Sequence, residues 1–492
     1  MITQREASGA GLALTVWGRR RLIAAAALAL AALALFVSVP AYSAFDSIYS
    51  LAWGQELLHG RLPSFDAYRA PTQHPLWVAI TTVLATLGED GSRAVVGVCV
   101  AAFVALVIGG FRLANALFGE VVGWIFALLL LSRLDYGFLA ARGYVDVPFL
   151  ALVVWAAALE AERPRRGGAV WPLLACAGLL RPEAWLLSGA YALYLLLADR
   201  RLPRLSEVFW VLVAPVVWTA SDWLVTGDPL YSSNYTTRSA LSLGRRVPIE
   251  RLPERLVHFM NDLTKPPVLI AGVIGIGLAF ALVRPRARLA LPSFLFVFGI
   301  ATFLALSIRG FAVINRYLVV SALALTLFAA FTLGGWSVLR TRARWIWAAG
   351  AGLVIVLGAG WTVSRFHFEH IRWELHSRQV VHADMVRLLA DPRVVAGRRC
   401  GPVTVPNHKL VPDVRYLLDA GVDDVLPRTR LPHAGQTTRG VALFVTGGRR
   451  FLVHPAYGPF DQLDDDPLIQ VPGPDFQLVA RGTYLAAYVS CA

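Results

Sequence analysis

The chain has 492 residues, of which 57% are hydrophobic and only 16% charged, with a net charge of +14. Soluble domains carry roughly 25% charged residues, so the composition excludes a water-soluble globular protein. A basic balance in a soluble chain would point to nucleic acid. Here the basic residues fall in short clusters between apolar runs, which makes them orientation signals for a membrane protein.

A crossing helix needs about 20 mostly apolar residues, and fewer when other helices enclose it. Such runs lie at 22–40, 94–115, 120–133, 147–162, 168–181, 184–198, 207–225, 267–283, 289–307, 317–334 and 345–363. No small-residue cleavage site follows the first, which reads as a retained helix. The run 77–87 is too short to cross. Gln73-His74-Pro75 before it and Gly88-Glu89-Asp90-Gly91 after it mark a helix lying at the interface or re-entering from it. Eleven crossings from a cytoplasmic N-terminus put five basic clusters, at 19–21, 163–166, 199–201, 284–288 and 340–344, on the cytoplasmic side. Counting 77–87 as a crossing would reverse all but the first of them. Segments 41–93, 134–146, 181–183, 226–265, 307–316 and everything after 363 then face outward.

That last stretch changes composition. A helical "RQVVHADMVRLLAD" precedes the short runs "GPVTV", "VALFVTG" and "FLVHP". Residues 364–492 therefore read as a small extracytoplasmic α/β domain behind a membrane domain, 1–363. Cys400 and Cys491 both fall in it. Outside the cytoplasm they would close most of it with one disulfide, and spacing alone leaves two unpaired thiols equally open.

Asp46 stands just beyond the first helix, where a carboxylate is costly unless it is paired or lines a wet cavity. The competing reading is an N-cap for the amphipathic run that follows. Asp66, Tyr68 and His74 share the same outward segment, between Pro63 and Pro75. Arg142 and Asp146 are four apart in "LAARGYVDVPF", a spacing that lets them pair on one helix face. Arg181-Pro182-Glu183 breaks an apolar stretch, and the fork of Arg181 suits phosphate oxygens. Arg316 and Tyr317 follow at the outer surface. The loop 226–265 sets Arg238, Arg245, Arg246, Arg251 and Arg255 beside Tyr231, Asn234 and Tyr235. That mixture suits a phosphate and a sugar, or equally a basic loop lying on anionic lipid. The sequence holds no Gly-rich phosphate loop, no HExxH and no zinc-type Cys/His spacing. Asp423-Asp424 and Asp464 to Asp466 read as solvated turns.

In order and sidedness, "FDSIYSLAWGQELLHGRLP", "QHPL", "RGYVD", "LLRPEAW" and "NRY" resemble the GT-C superfamily of membrane glycosyltransferases over roughly residues 20–335. The "QHPL" element is similar to the His-Pro motif of its protein mannosyltransferase-like branch. An extracytoplasmic C-terminal domain also occurs in the actinobacterial mannosyl- and arabinofuranosyltransferases. The resemblance implies a polytopic α-helical membrane protein of the plasma membrane, with about 11 transmembrane helices and a small C-terminal extracytoplasmic α/β domain. It implies an inverting hexosyl- or pentosyltransferase, arabinofuranosyl or mannosyl, using a polyprenyl-phosphate donor and a cell-envelope glycan or glycolipid acceptor. Asp46 would be the general base. Arg316, Arg181 and Tyr317 would hold the donor phosphate, while Asp66, His74, Arg142, Asp146, Glu183, Tyr231 and Asn234 would shape the sugar and acceptor sites. The first loop lacks the Asp-x-Asp of the metal-dependent oligosaccharyltransferase branch, so the resemblance does not imply a required metal, and a divalent cation stays open. Two rivals stand beside this reading. A flippase of lipid-linked sugars should show polar residues inside its helices or two related halves; a non-catalytic envelope protein would not need eleven helices.

Overall fold

The computed structural model describes residues 4–165, 167–200, 202–365, 368–428, 439–446 and 474–491. All eleven expected apolar runs are helical: Gln4–Ser38, Gly91–Phe118, Glu120–Ser132, Asp146–Glu162, Val170–Leu180, Glu183–Asp199, Leu205–Thr226, Pro266–Leu282, Ala290–Ile308, Val319–Gly334 and Ala343–Arg365. Their lengths are not uniform. Among the described residues, six helices are long and apolar enough to cross alone, and up to eight crossings result when two pairs bent by 58° and 105° each count as one. Val170–Leu180 has 11 residues. At 1.5 Å per residue it spans about 16 Å, short of a hydrocarbon core about 30 Å thick. It buries Leu174, Ala177 and Leu180 among neighbouring helices instead.

Burial sorts the helices into a centre and a periphery. The apolar window of Asn315–Val338 is 94% buried, whereas that of Gly18–Ser38 is 0% buried. Leu22, Leu30, Leu35, Ile346 and Val356 are exposed on the outer helices. Contiguous apolar faces of this kind need a non-aqueous solvent. The chain is a polytopic helical membrane protein.

On the side that carries the tail, four further helices shape the site. Phe45–Leu58 follows the first span, and Pro75–Ala85, the short helix expected at the interface, packs on it. A Cβ at Gly54 would stand 2.7 Å from the Thr82 Cα, so glycine permits that contact. The loop 226–265 holds helices Tyr231–Ser242 and Leu252–Thr264.

The C-terminal domain begins with helix Phe368–Leu389 and, among the described residues, builds one five-stranded sheet. Its strands are β1 (Val403–Val405), β2 (Val425–Pro427), β3 (Gly440–Val445), β4 (Gln477–Arg481) and β5 (Leu485–Ser490), in the order β2-β1-β3-β5-β4. β1 runs parallel to β2 and β3, while β5 is antiparallel to β3 and β4. "GPVTV" and "VALFVTG" thus contain strands as expected; "FLVHP" and Asp464 to Asp466 lie outside the described residues. Cys400 and Cys491 are joined in a disulfide. The buried Asp384 carboxylate accepts from the backbone N–H groups of Thr483, Tyr484 and Leu485, at 3.0, 2.6 and 3.1 Å, and fastens the helix to the hairpin.

The domain sits on the helix that carries Asp46. Arg415, fully buried, donates through Nη2 to Glu56 Oε1 at 2.5 Å and to Ser64 Oγ at 2.8 Å. Nearby, the Tyr416 hydroxyl donates to the Gly88 carbonyl at 2.6 Å, and Arg61 pairs with Asp419. A buried pair with this many bonds fixes position more than it adds stability.

Candidate active site

Asp46 lies in the first turn of Phe45–Leu58, whose N-cap is Ala44 with no side-chain cap bond. The capping role for Asp46 is therefore absent. Its carboxylate turns instead to Arg316, whose Nη1 donates to Oδ2 at 3.4 Å, and the two side chains are 28% and 30% exposed. A solute can reach them.

Behind this pair stands Asp146, with a side chain 0% exposed. Arg316 donates to it from Nη2 at 2.7 Å and from Nε at 3.1 and 3.2 Å. Arg181 donates to its other side through Nη1 and reaches Glu183 Oε1 through Nη2 at 3.0 Å. The Tyr317 ring lies 5.9 Å from the Arg181 guanidinium. Five charged residues from four separate segments thus form one network. When ionised, its three carboxylates exceed its two guanidinia by one negative charge. Arg316 occupies the position between Asp46 and Asp146 that a bridging cation would need.

The expected pairing of Arg142 with Asp146 does not occur. Arg142 caps the end of helix Leu134–Ala141 and Asp146 begins the next helix. Between them Gly143 has φ +67°, so no continuous helix face joins the two. The turn instead sends Arg142 toward Glu374 of the C-terminal domain, at 3.8 Å, and leaves the Tyr144 ring between two cations, 5.3 Å from Arg316 and 5.6 Å from Arg142.

His74 is half-buried beside the network, its ring 5.8 Å from that of Trp218 and its Nδ1 without a hydrogen-bond partner. Burial and the neighbouring Arg181 push its imidazole down to about 4, so it is neutral at pH 7. Its neighbour Gln73 ties this segment to helix Leu205–Thr226, donating to Ser221 Oγ and Asp222 Oδ1 at 2.8 and 3.1 Å. Asp66 is an exposed turn residue, Tyr231 stacks on Tyr235 at 5.5 Å, and Asn234 donates to Asp228 at 2.9 Å. Among the described residues, no hydrogen bond or ion pair joins Asp66, Tyr231 or Asn234 to Asp46.

A cavity of about 950 Å³ opens next to the network. Leu129, Ala271, Leu333 and Ile355 line its apolar part, and Tyr144, Arg142, Arg378 and Lys409 stand at its polar end. Asp46 and Arg316 are not in its wall; they adjoin it through Phe45 and Tyr144. This volume falls at the upper end of small-molecule sites, and the division of its wall suits an amphiphile with an anionic head.

No protein-family model and no curated protein matches this chain. Solved structures do. ArnT from Cupriavidus metallidurans bound to undecaprenyl phosphate superposes with a TM-score of 0.56 at 15% identity, covering 96% of this chain and 98% of that one. The same protein in its apo state gives 0.50 at 16% identity, over 97% and 98%. The chain has the GT-C fold.

Sequence reasoning placed Asp46, Asp146, Arg181, Glu183 and Arg316 at the site but missed Tyr144, Glu374, Arg378 and Lys409. Tyr144 was legible in principle, since it stands within "RGYVD" between two residues singled out. The other three come from the C-terminal domain, where only the register of helix Phe368–Leu389 could have marked Glu374 and Arg378 as one-turn neighbours.

Proposed function

We propose that this protein is an inverting glycosyltransferase that moves a sugar, arabinofuranosyl or mannosyl, from a polyprenyl phosphate to a hydroxyl of a cell-envelope glycan or glycolipid. One observation carries the reading: the partly exposed carboxylate of Asp46, held by Arg316, beside a cavity that is apolar at one end and cationic at the other. The apolar end receives the isoprenoid, and the cationic end receives the phosphate.

In the reaction Asp46 takes the proton of the acceptor hydroxyl while its oxygen attacks the anomeric carbon. The bond from that carbon to the phosphate oxygen breaks, and the oxygen leaves with the electron pair as polyprenyl phosphate. One displacement inverts the carbon. Arg316 faces the developing charge on the phosphate, while Asp146 and Arg181 hold Arg316 in place from behind. Neutral His74 and Glu183 shape the sugar pocket, and the outer segment with Asp66, Tyr231 and Asn234 receives the acceptor.

The C-terminal domain, from 364 onward, lies outside the cytoplasm in this reading, with the N-terminus inside. The disulfide between Cys400 and Cys491 supports that sidedness independently of the basic clusters, because such bonds persist in oxidising compartments. The test is transfer of labelled sugar from a panel of polyprenyl-phosphate donors by the purified full-length protein and by Asp46→Asn. Transfer that drops about 100-fold or more in the variant supports the reading. Equal transfer removes Asp46 from the mechanism, and donor binding without any transfer moves the assignment to a flippase.

A further inference from the structure

Asp222 stands near the end of the crossing helix Leu205–Thr226 and is 1% exposed. Among the described residues no cation pairs with it. The three bonds to its carboxylate come from neutral donors: Oδ2 accepts from the Ser232 N–H at 2.9 Å, and Oδ1 from the Ser232 hydroxyl at 2.8 Å and from Gln73 Nε2 at 3.1 Å. A carboxylate buried in a crossing helix is costly, and no step of the reaction above uses it. A neutral amide could join the same segments with less desolvation, so the carboxylate supplies something that an amide does not.

What it supplies is direction. A carboxylate only accepts, so it takes the NH2 edge of the Gln73 amide, whose Nε2 also donates to Ser221 Oγ at 2.8 Å. The Thr72 and Thr236 hydroxyls meet at 2.8 Å and strap the same segment to helix Tyr231–Ser242. Residues 72 and 73 are thereby held to two helices, and the next residue is His74. Its ring meets Trp218 edge-on at 5.8 Å, one turn before Asp222 on the same helix. One helix thus fixes both the backbone before His74 and a wall of its ring.

The ring so placed lies within electrostatic reach of Arg181, Asp46, Arg316 and Asp146. Its Nδ1 has no hydrogen-bond partner, although buried polar atoms almost always have one. A sugar hydroxyl can donate to that nitrogen or accept from it, so either tautomer is served. Such a contact works only while the ring is held, because small misplacements in a site lower the rate steeply.

We infer that Asp222 is a positioning residue of the sugar site: by fixing the Gln73 amide it holds the His74 ring against the charged network, where Nδ1 meets a hydroxyl of the transferred sugar. This rests on the donor reading above. It extends the site to a carboxylate that touches no substrate.

The experiment uses the full-length protein in nanodiscs. It measures transfer from mannosyl- and arabinofuranosyl-phosphoryl undecaprenol and, by tryptophan fluorescence, binding of sugar-free undecaprenyl phosphate. Gln73→Glu sets two carboxylates face to face and should lower kcat by about 10-fold or more, the scale of a buried polar group left without its bond. Adding Asp222→Asn reverses the polarity of the pair and should recover most of the rate. His74→Ala should itself lower transfer, and in that background Gln73→Glu should remove nothing further, the mark of residues acting through one contact. Binding of undecaprenyl phosphate, which carries no sugar, should not change in any of these variants. If Gln73→Glu folds poorly, Asp222→Asn alone should show the same dependence on His74 with a smaller loss. Losses that multiply in the His74→Ala background overturn this inference, because Gln73 and Asp222 would then support the fold at large. Unchanged transfer by Gln73→Glu or His74→Ala overturns it, and so does a double variant no better than Gln73→Glu or a parallel loss of undecaprenyl phosphate binding. In each of these cases transfer by the wild type leaves the donor reading standing. Wild-type protein that binds undecaprenyl phosphate but transfers neither sugar overturns both readings.

Discussion

Two ionic clusters lie on either side of the Tyr144 ring and use the same residue types to different ends. On one side Asp146 is sealed between Arg181 and Arg316, with every charge answered at close range. On the other, Arg142 reaches Glu374 only at 3.8 Å, and Arg378 and Lys409 share its surroundings. The enclosed cluster has little freedom to answer a ligand and serves as a frame. The cavity cluster holds an equally short pair, Arg378 with Glu374 at 2.8 Å, but it borders open space. Access to that space, more than residue type or ion-pair distance, separates the two clusters.

Breaking each cluster should therefore fail in a different way. Asp146→Asn removes the anion between two buried guanidinia and should lower stability by about 3–5 kcal/mol while abolishing transfer; a melting curve in detergent reads the first and the sugar assay the second. If the variant melts like wild type, the enclosed cluster is not a frame. Asp46→Asn, at the exposed edge, should cost about 100-fold in kcat with the melting temperature nearly unchanged. Arg142→Gln breaks a long, largely buried pair with Glu374, so it should lower stability by less than Asp146→Asn does, and its signature should be a raised donor KM in steady-state kinetics.

The smallest effect concerns Asp413, which also lines the cavity. Burial pushes its carboxyl up to about 7, against the opposing pull of Arg378. The folded protein thus holds a proton that the unfolded chain releases near pH 4, so this group's contribution declines as pH rises from about 4 to about 7. Asp413→Asn should melt higher than wild type at pH 8, with the difference shrinking toward pH 4. A constant difference across that range would mean that Asp413 is already ionised in the fold.

The helices were legible because hydropathy over 15 to 25 residues is a local property. The site was legible only as a set of suspects. Asp146 meets Arg316 from 170 positions away, a distance that no periodicity encodes. One local inference misled. The four-residue spacing of Arg142 and Asp146 implies a shared helix face only where the helix is continuous, and Gly143 ends it. The second and third turns of Phe368–Leu389 carry Glu374 and Arg378 at a spacing that resembles an ordinary surface pair, and nothing in the tail's sequence shows that it lies over a membrane cavity. Helix formation within 226–265 was also hidden, because the mean hydropathy of Tyr231–Ser242 is too low to signal a helix by apolar content.

The contact between Glu56 and Arg415 joins residues 359 positions apart. Ribosomes add about 5–20 residues per second, so Glu56 emerges some tens of seconds before its partner exists. Throughout that interval the membrane helices can insert and pack, but the helix bearing Asp46 has no clamp at its far end. The geometry around Asp46 is then completed late in translation, and a product truncated before residue 415 would lack the bond that fixes this helix.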